Sequence, residues 1–291
     1  MLTLFLLACA PETLDASDTR DSAAEEEESV PQPAPLTEPT DGACPDFGDG
    51  GRVKFTSMDL ERTALVYFPV DPSEPPPILF VWHPLGGNAQ YMNSTLSLKD
   101  YAEENETIVI APDSSGKFPF EFDFVGGGEE DLALYDDLRS CAVSELGGDI
   151  ARVHTMGFSA GALWASFLGI HRGDTLASIM PWSGGTGSVV DYATPAGPFA
   201  ALLTYGGESD TFDAGMAVVH FDEATLEFAA SLIADGHFVV TCNHGGGHDY
   251  PPQPDTFLRE WPLPHRYGAA SPFADGDFSV FPDICTVFTG D

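Results

Sequence analysis

The stretch Gly157-Phe158-Ser159-Ala160-Gly161 decides the fold of this chain. A short β-branched run at residues 152–156 precedes it and predicts a strand, and an apolar run at residues 162–168 follows it and predicts a helix. A strand, a G-x-S-x-G turn and a helix in this order form a nucleophile elbow, which projects the serine hydroxyl above a sheet. The pentapeptide alone is a weak signal, so the interpretation requires an acid, a base and oxyanion donors in the matching order.

An acid follows the next apolar strand. The run Phe199–Tyr205 predicts a buried strand, and it ends in Gly206-Gly207-Glu208-Ser209-Asp210. An acid just beyond the carboxyl end of a parallel strand lies at the edge of the sheet where ligands bind. Asp210 is therefore the predicted acid, and Asp213 in the same loop is the alternative.

The base is expected in a glycine-rich loop after the last predicted strand. Residues 223–234 have helical apolar spacing and Gly236 ends that helix, and residues 238–242 then predict a strand. The loop that follows, residues 243–250, carries two histidines. His248 is the predicted base and His244 the alternative.

These residue types suit nucleophilic catalysis by a serine. A histidine accepts the hydroxyl proton because its pKa lies near neutral pH, and a carboxylate on its other ring nitrogen stabilises the imidazolium. Backbone amides must stabilise the negative charge that develops on the carbonyl oxygen of the substrate. The predicted donors are the amides of Ala160 and of Leu85, which follows the strand at residues 78–82, with Gly86 as the alternative to Leu85. Pro84 has no amide proton, and His83 is expected to hold this loop in place.

With these pieces in place, the chain resembles the secreted esterases grouped with polyhydroxybutyrate depolymerases and feruloyl esterases, over about residues 53–262. The family usually has glycine where Pro84 stands here. The resemblance implies an α/β-hydrolase fold, with Ser159 as nucleophile, Asp210 as acid and His248 as base. It also implies cleavage of carboxylic esters, often on polymers or plant-derived aromatic esters. The matching motifs are His83-Pro84-Leu85-Gly86-Gly87, the elbow, Gly207-Glu208-Ser209-Asp210, and Gly245-Gly246-Gly247-His248 followed by Pro251.

The order of strand and helix signals predicts the architecture. From residue 78 onward the two alternate, which favours a mostly parallel central sheet with helices on both faces. Residues 52–58 and 63–70 predict a leading antiparallel pair. The stretch between residues 181 and 199 is short and rich in glycine and small residues, so no large lid is expected and the cleft is predicted to be open.

The chain divides into three predicted regions. Residues 1–9 resemble a lipoprotein-type export signal that ends at a lipobox cysteine, Cys9, although no Lys or Arg precedes its apolar run. Residues 10–43 are acidic and proline-rich, which predicts a disordered tether. Residues 44–291 form the predicted catalytic domain. The expected protein is exported and is either lipid-anchored through Cys9 to the cell envelope, at the outer membrane, or secreted; it is expected to be a monomer.

The remaining four cysteines fit an oxidising compartment. An even number of cysteines in an exported chain suggests two disulfides, and three pairings are possible. We expect Cys242–Cys285 and Cys44–Cys141, with buried free thiols as the alternative.

Composition excludes some classes of function. The formal net charge is −35, so nucleic acid is disfavoured as a partner, because binding phosphate needs a basic patch. His244 and His248 lie in a glycine-rich loop rather than on a helix, which does not favour a zinc site. The sequence therefore predicts a serine-dependent carboxylic ester hydrolase that acts through an acyl-enzyme on extracellular esters without metal or cofactor. The alternatives are a serine peptidase of the same fold and an inactive surface binding protein on a hydrolase scaffold.

Overall fold

A central sheet organises the computed structural model, which describes residues 30–213, 215 and 218–290. Its nine strands lie in the order β1-β2-β4-β3-β5-β6-β7-β10-β11, and β8 pairs separately with β9. The strands are β1 (Gly51–Ser57), β2 (Leu60–Tyr67), β3 (Ile78–Trp82), β4 (Ile108–Pro112), β5 (Val153–Phe158), β6 (Ser178–Trp182), β7 (Ala200–Tyr205), β8 (Thr211–Asp213), β9 (Val218–His220), β10 (Phe238–Asn243) and β11 (Cys285–Val287). The helices are α1 (Ala89–Leu96), α2 (Leu98–Glu104), α3 (Glu129–Leu146), α4 (Ala160–Arg172), α5 (Phe221–Ala234) and α6 (Pro254–Glu260).

The pairing confirms the predicted mostly parallel sheet. Strands β4, β3, β5, β6, β7 and β10 are parallel to their neighbours in that order. The leading pair β1–β2 is antiparallel, as are β2–β4 and β10–β11 at the two sides of the sheet. The carboxyl ends of the parallel strands therefore meet at one edge, where ligands bind in folds of this kind.

Helices cover both faces of the sheet because the strands are apolar on both sides. Strand β3 is buried along its whole length, and its alternate residues enter two separate cores. Ile78, Phe80 and Trp82 pack in the core with α3, α4 and α5. Leu79 and Val81 pack in the core with α1, α2 and α6.

The first described residues pack against the domain, which corrects part of the predicted tether. That tether extends to residue 43, but the structure places residues 34–40 against α3. Asp137 accepts hydrogen bonds from the amide and hydroxyl of Thr40 at 2.9 and 2.6 Å, and Arg139 donates to the Ala34 carbonyl at 2.6 Å. A proline-rich segment has no core of its own, yet several of its backbone groups find hydrogen-bond partners on the helix. The predicted signal, with Cys9, and residues 10–29 lie outside the described residues.

Both expected disulfides are present. Cys44–Cys141 links the start of the predicted domain to α3, with Cα atoms 5.4 Å apart. Cys242–Cys285 joins directly opposed residues of β10 and β11. Within the described part of the chain, none of the helices has the length and apolar character needed to cross a membrane.

Candidate active site

Ser159 lies in a strained turn between β5 and α4. Its φ of 56° and ψ of −119° fall in a region that non-glycine residues rarely occupy, which is the geometry expected of a nucleophile elbow. The two glycines permit it. A Cβ on Gly157 would lie 2.2 Å from the Gly161 carbonyl oxygen, and a Cβ on Gly161 would lie 2.2 Å from that of Trp82. Because Gly157 and Gly161 have no side chains, α4 can pack closely against the sheet beneath Ser159.

The structure brings Ser159, His248 and Asp210 together in hydrogen-bonding order. His248 Nε2 lies 2.9 Å from Ser159 Oγ, and His248 Nδ1 lies 2.7 Å from Asp210 Oδ1. Because the carboxylate accepts at Nδ1, that nitrogen carries the proton and Nε2 is left to accept from the hydroxyl. Asp210 is fully buried, whereas the His248 side chain is 19% exposed. The arrangement can therefore take a proton from the serine and keep the resulting imidazolium paired with a carboxylate.

The second oxygen of Asp210 has its own partners. Asp210 Oδ2 accepts from Ser183 Oγ and from the Gly206 amide, both at 2.8 Å. Sequence reasoning missed Ser183, which directly follows β6. The signal available was its place at the end of a parallel strand, at the same edge as the predicted acid. These hydrogen bonds satisfy a carboxylate that is removed from water.

Aromatic side chains enclose the His248 ring. Phe158 and Phe221 stack on it with ring centroids 5.1 and 4.6 Å away, and Phe212 lies at 6.1 Å. Tyr250 in turn packs on Phe158 at 4.2 Å. These contacts restrict the rotation of the imidazole and limit the access of water to its hydrogen bonds.

The alternative acid and base lie elsewhere. Asp213 is exposed at the end of β8, where it accepts from the amide of Gly215 at 2.8 Å. His244 Nδ1 accepts from the Gly246 amide at 3.3 Å, and burial lowers the pKa of this histidine. Among the hydrogen bonds of the described residues, neither side chain reaches Ser159.

The predicted oxyanion donors differ in how free their amides are. Ala160 is the first residue of α4, where an N–H group has no acceptor within the helix. The Gly86 amide already donates to Glu121 Oε1 at 2.9 Å. For the Leu85 amide, the described residues supply no hydrogen-bond acceptor. This pattern favours Leu85 over Gly86 as the second donor.

A metal centre has no counterpart among the described residues: they contain no group of three or more His, Cys, Asp or Glu side chains placed to hold an ion.

The chain resembles a known protein in sequence over part of its length. No family model matches the chain. Over 143 residues it is 29% identical to Feruloyl esterase B of Thermothelomyces thermophilus, a match that covers 46% of this chain and 48% of that protein. The chain thus spans about half the length of this curated relative.

Solved structures match over more of the chain. Native pOPH aligns with a TM-score of 0.68 at 18% identity, covering 85% of this chain and 98% of that one. The S-formylglutathione hydrolase FrmB of Staphylococcus aureus aligns with a TM-score of 0.52 at 15% identity, covering 72% and 95%. The chain therefore has the α/β-hydrolase fold, as predicted.

Proposed function

We propose that this protein is a serine-dependent carboxylic ester hydrolase that acts through an acyl-enzyme. One observation carries the proposal: His248 lies within hydrogen-bonding distance of both Ser159 Oγ, at 2.9 Å, and Asp210 Oδ1, at 2.7 Å. The strained backbone of Ser159 supports it, since strain of this kind is retained where function requires it.

Acylation begins at the serine. Ser159 Oγ attacks the ester carbonyl carbon while His248 Nε2 takes its proton. The carbonyl oxygen becomes an oxyanion, which the amides of Ala160 and Leu85 stabilise. When the tetrahedral intermediate collapses, the carbon–oxygen bond of the ester breaks and His248 gives its proton to the leaving alcohol. Asp210 stabilises the imidazolium between these two proton transfers.

Deacylation repeats the same steps with water. A water molecule attacks the acyl-enzyme and transfers a proton to His248, and a second oxyanion forms in the same position. Its collapse breaks the bond to Ser159 Oγ, which recovers the proton, and the carboxylic acid leaves. Every step uses side chains and amides of this chain, so the proposed reaction needs neither metal nor cofactor.

The proposed substrates are extracellular esters, polymeric or aromatic. The name of the sequence relative, Feruloyl esterase B, supports an aromatic ester. The connection between β6 and β7, residues 183–199, contains no helix or strand, which supports an open cleft that admits large substrates. Hydrolysis of a panel of feruloyl, acetyl-xylan and polyhydroxyalkanoate esters would rank these classes.

The proposed location is outside the cytoplasm. In this proposal a lipid attached to Cys9 anchors the protein to the outer membrane, and the protein is a monomer. Two disulfides support an oxidising compartment. Metabolic labelling with a radioactive fatty acid tests the anchor: label in the wild-type chain that disappears in Cys9→Ser supports it, and equal label in both contradicts it. Light scattering of the purified protein tests the monomeric state.

The activity is tested with p-nitrophenyl acetate and butyrate. We expect the wild type to hydrolyse them and Ser159→Ala to lose that activity, while Ser94→Ala, at an exposed serine on α1, keeps it. A wild type that turns over no ester in the panel would support an inactive binding scaffold. Faster cleavage of peptide amides than of esters would support the peptidase alternative.

A further inference from the structure

We infer that Glu121 is a positioning residue, which holds the oxyanion loop in its working conformation. The oxyanion loop is defined as residues 83–87. The inference rests on the proposed function, because it concerns a loop whose Leu85 amide is proposed to stabilise the oxyanion. Glu121 belongs to none of the motifs that define the site, and it lies between β4 and α3.

The oxyanion loop contains a tight turn whose middle peptide can adopt two orientations. The Gly87 amide donates to the Pro84 carbonyl at 2.9 Å and closes the turn. Gly86 has a φ of +73° and Leu85 does not have positive φ, which corresponds to a type II turn. A type I turn has the same ends but has the peptide between its two central residues rotated by roughly half a turn. In this loop, that peptide joins Leu85 to Gly86.

Glu121 binds this peptide through a hydrogen bond from outside the turn. Its Oε1 accepts from the Gly86 amide at 2.9 Å, and its Oε2 accepts from Ser114 Oγ at 2.5 Å. Rotation of the Leu85–Gly86 peptide would break the first hydrogen bond and would point the Leu85 carbonyl oxygen towards the carboxylate. The bound carboxylate therefore favours a single orientation of the turn.

The preceding peptide is fixed by a separate set of contacts. Ser114 donates its amide to His83 Nε2 at 3.1 Å, so the proton of this imidazole is on Nδ1, which lies 2.9 Å from the Pro84 carbonyl oxygen. In a trans peptide the C=O and N–H groups point in opposite directions, so anchoring the Pro84 carbonyl also aims the Leu85 amide. Glu121 and His83 thus fix the two peptide planes on either side of Leu85.

The backbone around Glu121 is anchored to the rest of the domain. Its φ of 73° is unusual for a residue with a side chain, which indicates that its surroundings impose the conformation. The Asp123 amide, two residues later, donates to Asp131 Oδ2 at 2.8 Å, and Asp131 forms a buried ion pair with Arg62. The loop that presents the carboxylate is therefore anchored to α3 and β2. A fixed hydrogen-bond acceptor keeps the donor loop organised before the charge develops.

Two variants at this position separate positioning from general stability. We expect Glu121→Ala to lower kcat on p-nitrophenyl butyrate by about 10- to 100-fold with little change in KM, less than the roughly 10²- to 10³-fold loss of a whole oxyanion donor. We expect Glu121→Gln to restore kcat to within about fivefold of wild type, because its amide oxygen still accepts from Gly86. The matched control is Glu130→Ala, which removes the ion pair with Lys117 in the same segment. This control should keep the wild-type kcat.

Hydrogen–deuterium exchange of the peptide containing residues 83–87 gives a readout that does not depend on turnover. We expect faster exchange in Glu121→Ala than in wild type, Glu121→Gln or Glu130→Ala. An unchanged kcat and exchange rate in Glu121→Ala would overturn the inference, as would losses that Glu130→Ala shares or that Glu121→Gln does not rescue. If wild type and every variant lack esterase activity, the proposed function fails, and with it the catalytic part of the inference. Unchanged kcat in Glu121→Ala beside an active wild type overturns the catalytic part alone.

Discussion

Ser183 Oγ donates a hydrogen bond of 2.8 Å to Asp210 Oδ2, the carboxylate oxygen that faces away from His248. Ser183 is fully buried and has a φ of 54°, so it holds an uncommon backbone conformation directly beside the acid. The backbone amide of Gly206 shares the same oxygen. The carboxylate of Asp210 is therefore oriented by hydrogen bonds from residues that follow β6 and β7, in addition to its hydrogen bond with the imidazole.

We expect Ser183→Ala to lower kcat by roughly 10-fold while the protein remains folded. A buried carboxylate that loses one of its hydrogen bonds is destabilised by about 1–3 kcal/mol and orients the imidazole less firmly. Steady-state kinetics on p-nitrophenyl butyrate measure the effect. Ser178→Ala is the matched control, because Ser178 is a buried serine at the other end of β6, bonded to His154. Equal kcat in the Ser183 variant and wild type would contradict this role.

The choice between the two candidate acids gives a sharper test. We expect Asp210→Asn to lower kcat by about 10³- to 10⁴-fold, because an amide at this position favours the wrong imidazole tautomer and leaves the imidazolium unpaired. Asp213→Asn should stay close to wild type, since Asp213 is exposed and its side chain accepts from the nearby Gly215 amide. The same ester assay measures both variants. If Asp213→Asn is the variant that loses activity, the assignment of the acid is wrong.

Two glycines on α4 provide a matched pair for the packing under the nucleophile. In Gly161→Ala the new Cβ would lie 2.2 Å from the backbone oxygen of Trp82, so helix and sheet must separate. In Gly169→Ala the nearest atom is 3.3 Å away, at the end of the Ile179 side chain, which can move. We expect the first change to lower the free energy of unfolding by at least about 2 kcal/mol and the second to alter it by less than about 1 kcal/mol. Urea denaturation distinguishes them, and equal stability of both variants would show that the close approach at Gly161 is unimportant.

Residues that carry a motif could be predicted from the sequence, because their spacing reflects the chain's own local geometry. The elbow around Ser159 needs glycines on both sides, and Asp210 and His248 each follow an apolar strand in the order that the fold requires. The parallel sheet then brings their loops to one edge. The disulfide Cys242–Cys285 was one of three possible pairings in the sequence, and only the fold shows that these two cysteines face each other on β10 and β11.

Residues whose role depends on a distant partner could not be predicted. Glu121 lies in a loop of no recognisable pattern, and only the folded chain brings its carboxylate to Gly86. The ordered packing of residues 30–43 is similar, since Thr40 bonds to Asp137, 97 positions away in the sequence. Composition describes the segment's lack of a core but not the hydrogen-bonding groups that α3 offers to it.

A buried histidine far from the proposed chemistry makes stability depend on pH. His265 Nδ1 lies 2.6 Å from the Trp261 carbonyl oxygen and its Nε2 lies 2.8 Å from Ser271 Oγ. Burial lowers its pKa from 6.5 to about 4, so the folded protein keeps the ring neutral. Below pH 6.5 this histidine binds a proton in the unfolded chain, whereas in the folded chain it stays neutral until the pH approaches 4. This difference favours unfolding. The stabilisation is complete above pH 6.5 and is lost as the pH falls towards 4.

We expect this histidine to contribute about 3 kcal/mol to the loss of stability between pH 6.5 and 4. The free energy of unfolding in urea should therefore fall less steeply with pH in His265→Asn than in wild type, even though the variant is less stable at pH 7. The buried His154, whose pKa is also lowered by burial, remains in both proteins, so part of the slope persists. His220→Asn, at an exposed histidine, serves as the control and should keep the wild-type slope. Identical slopes in His265→Asn and wild type would mean that His265 is not held neutral in the folded protein.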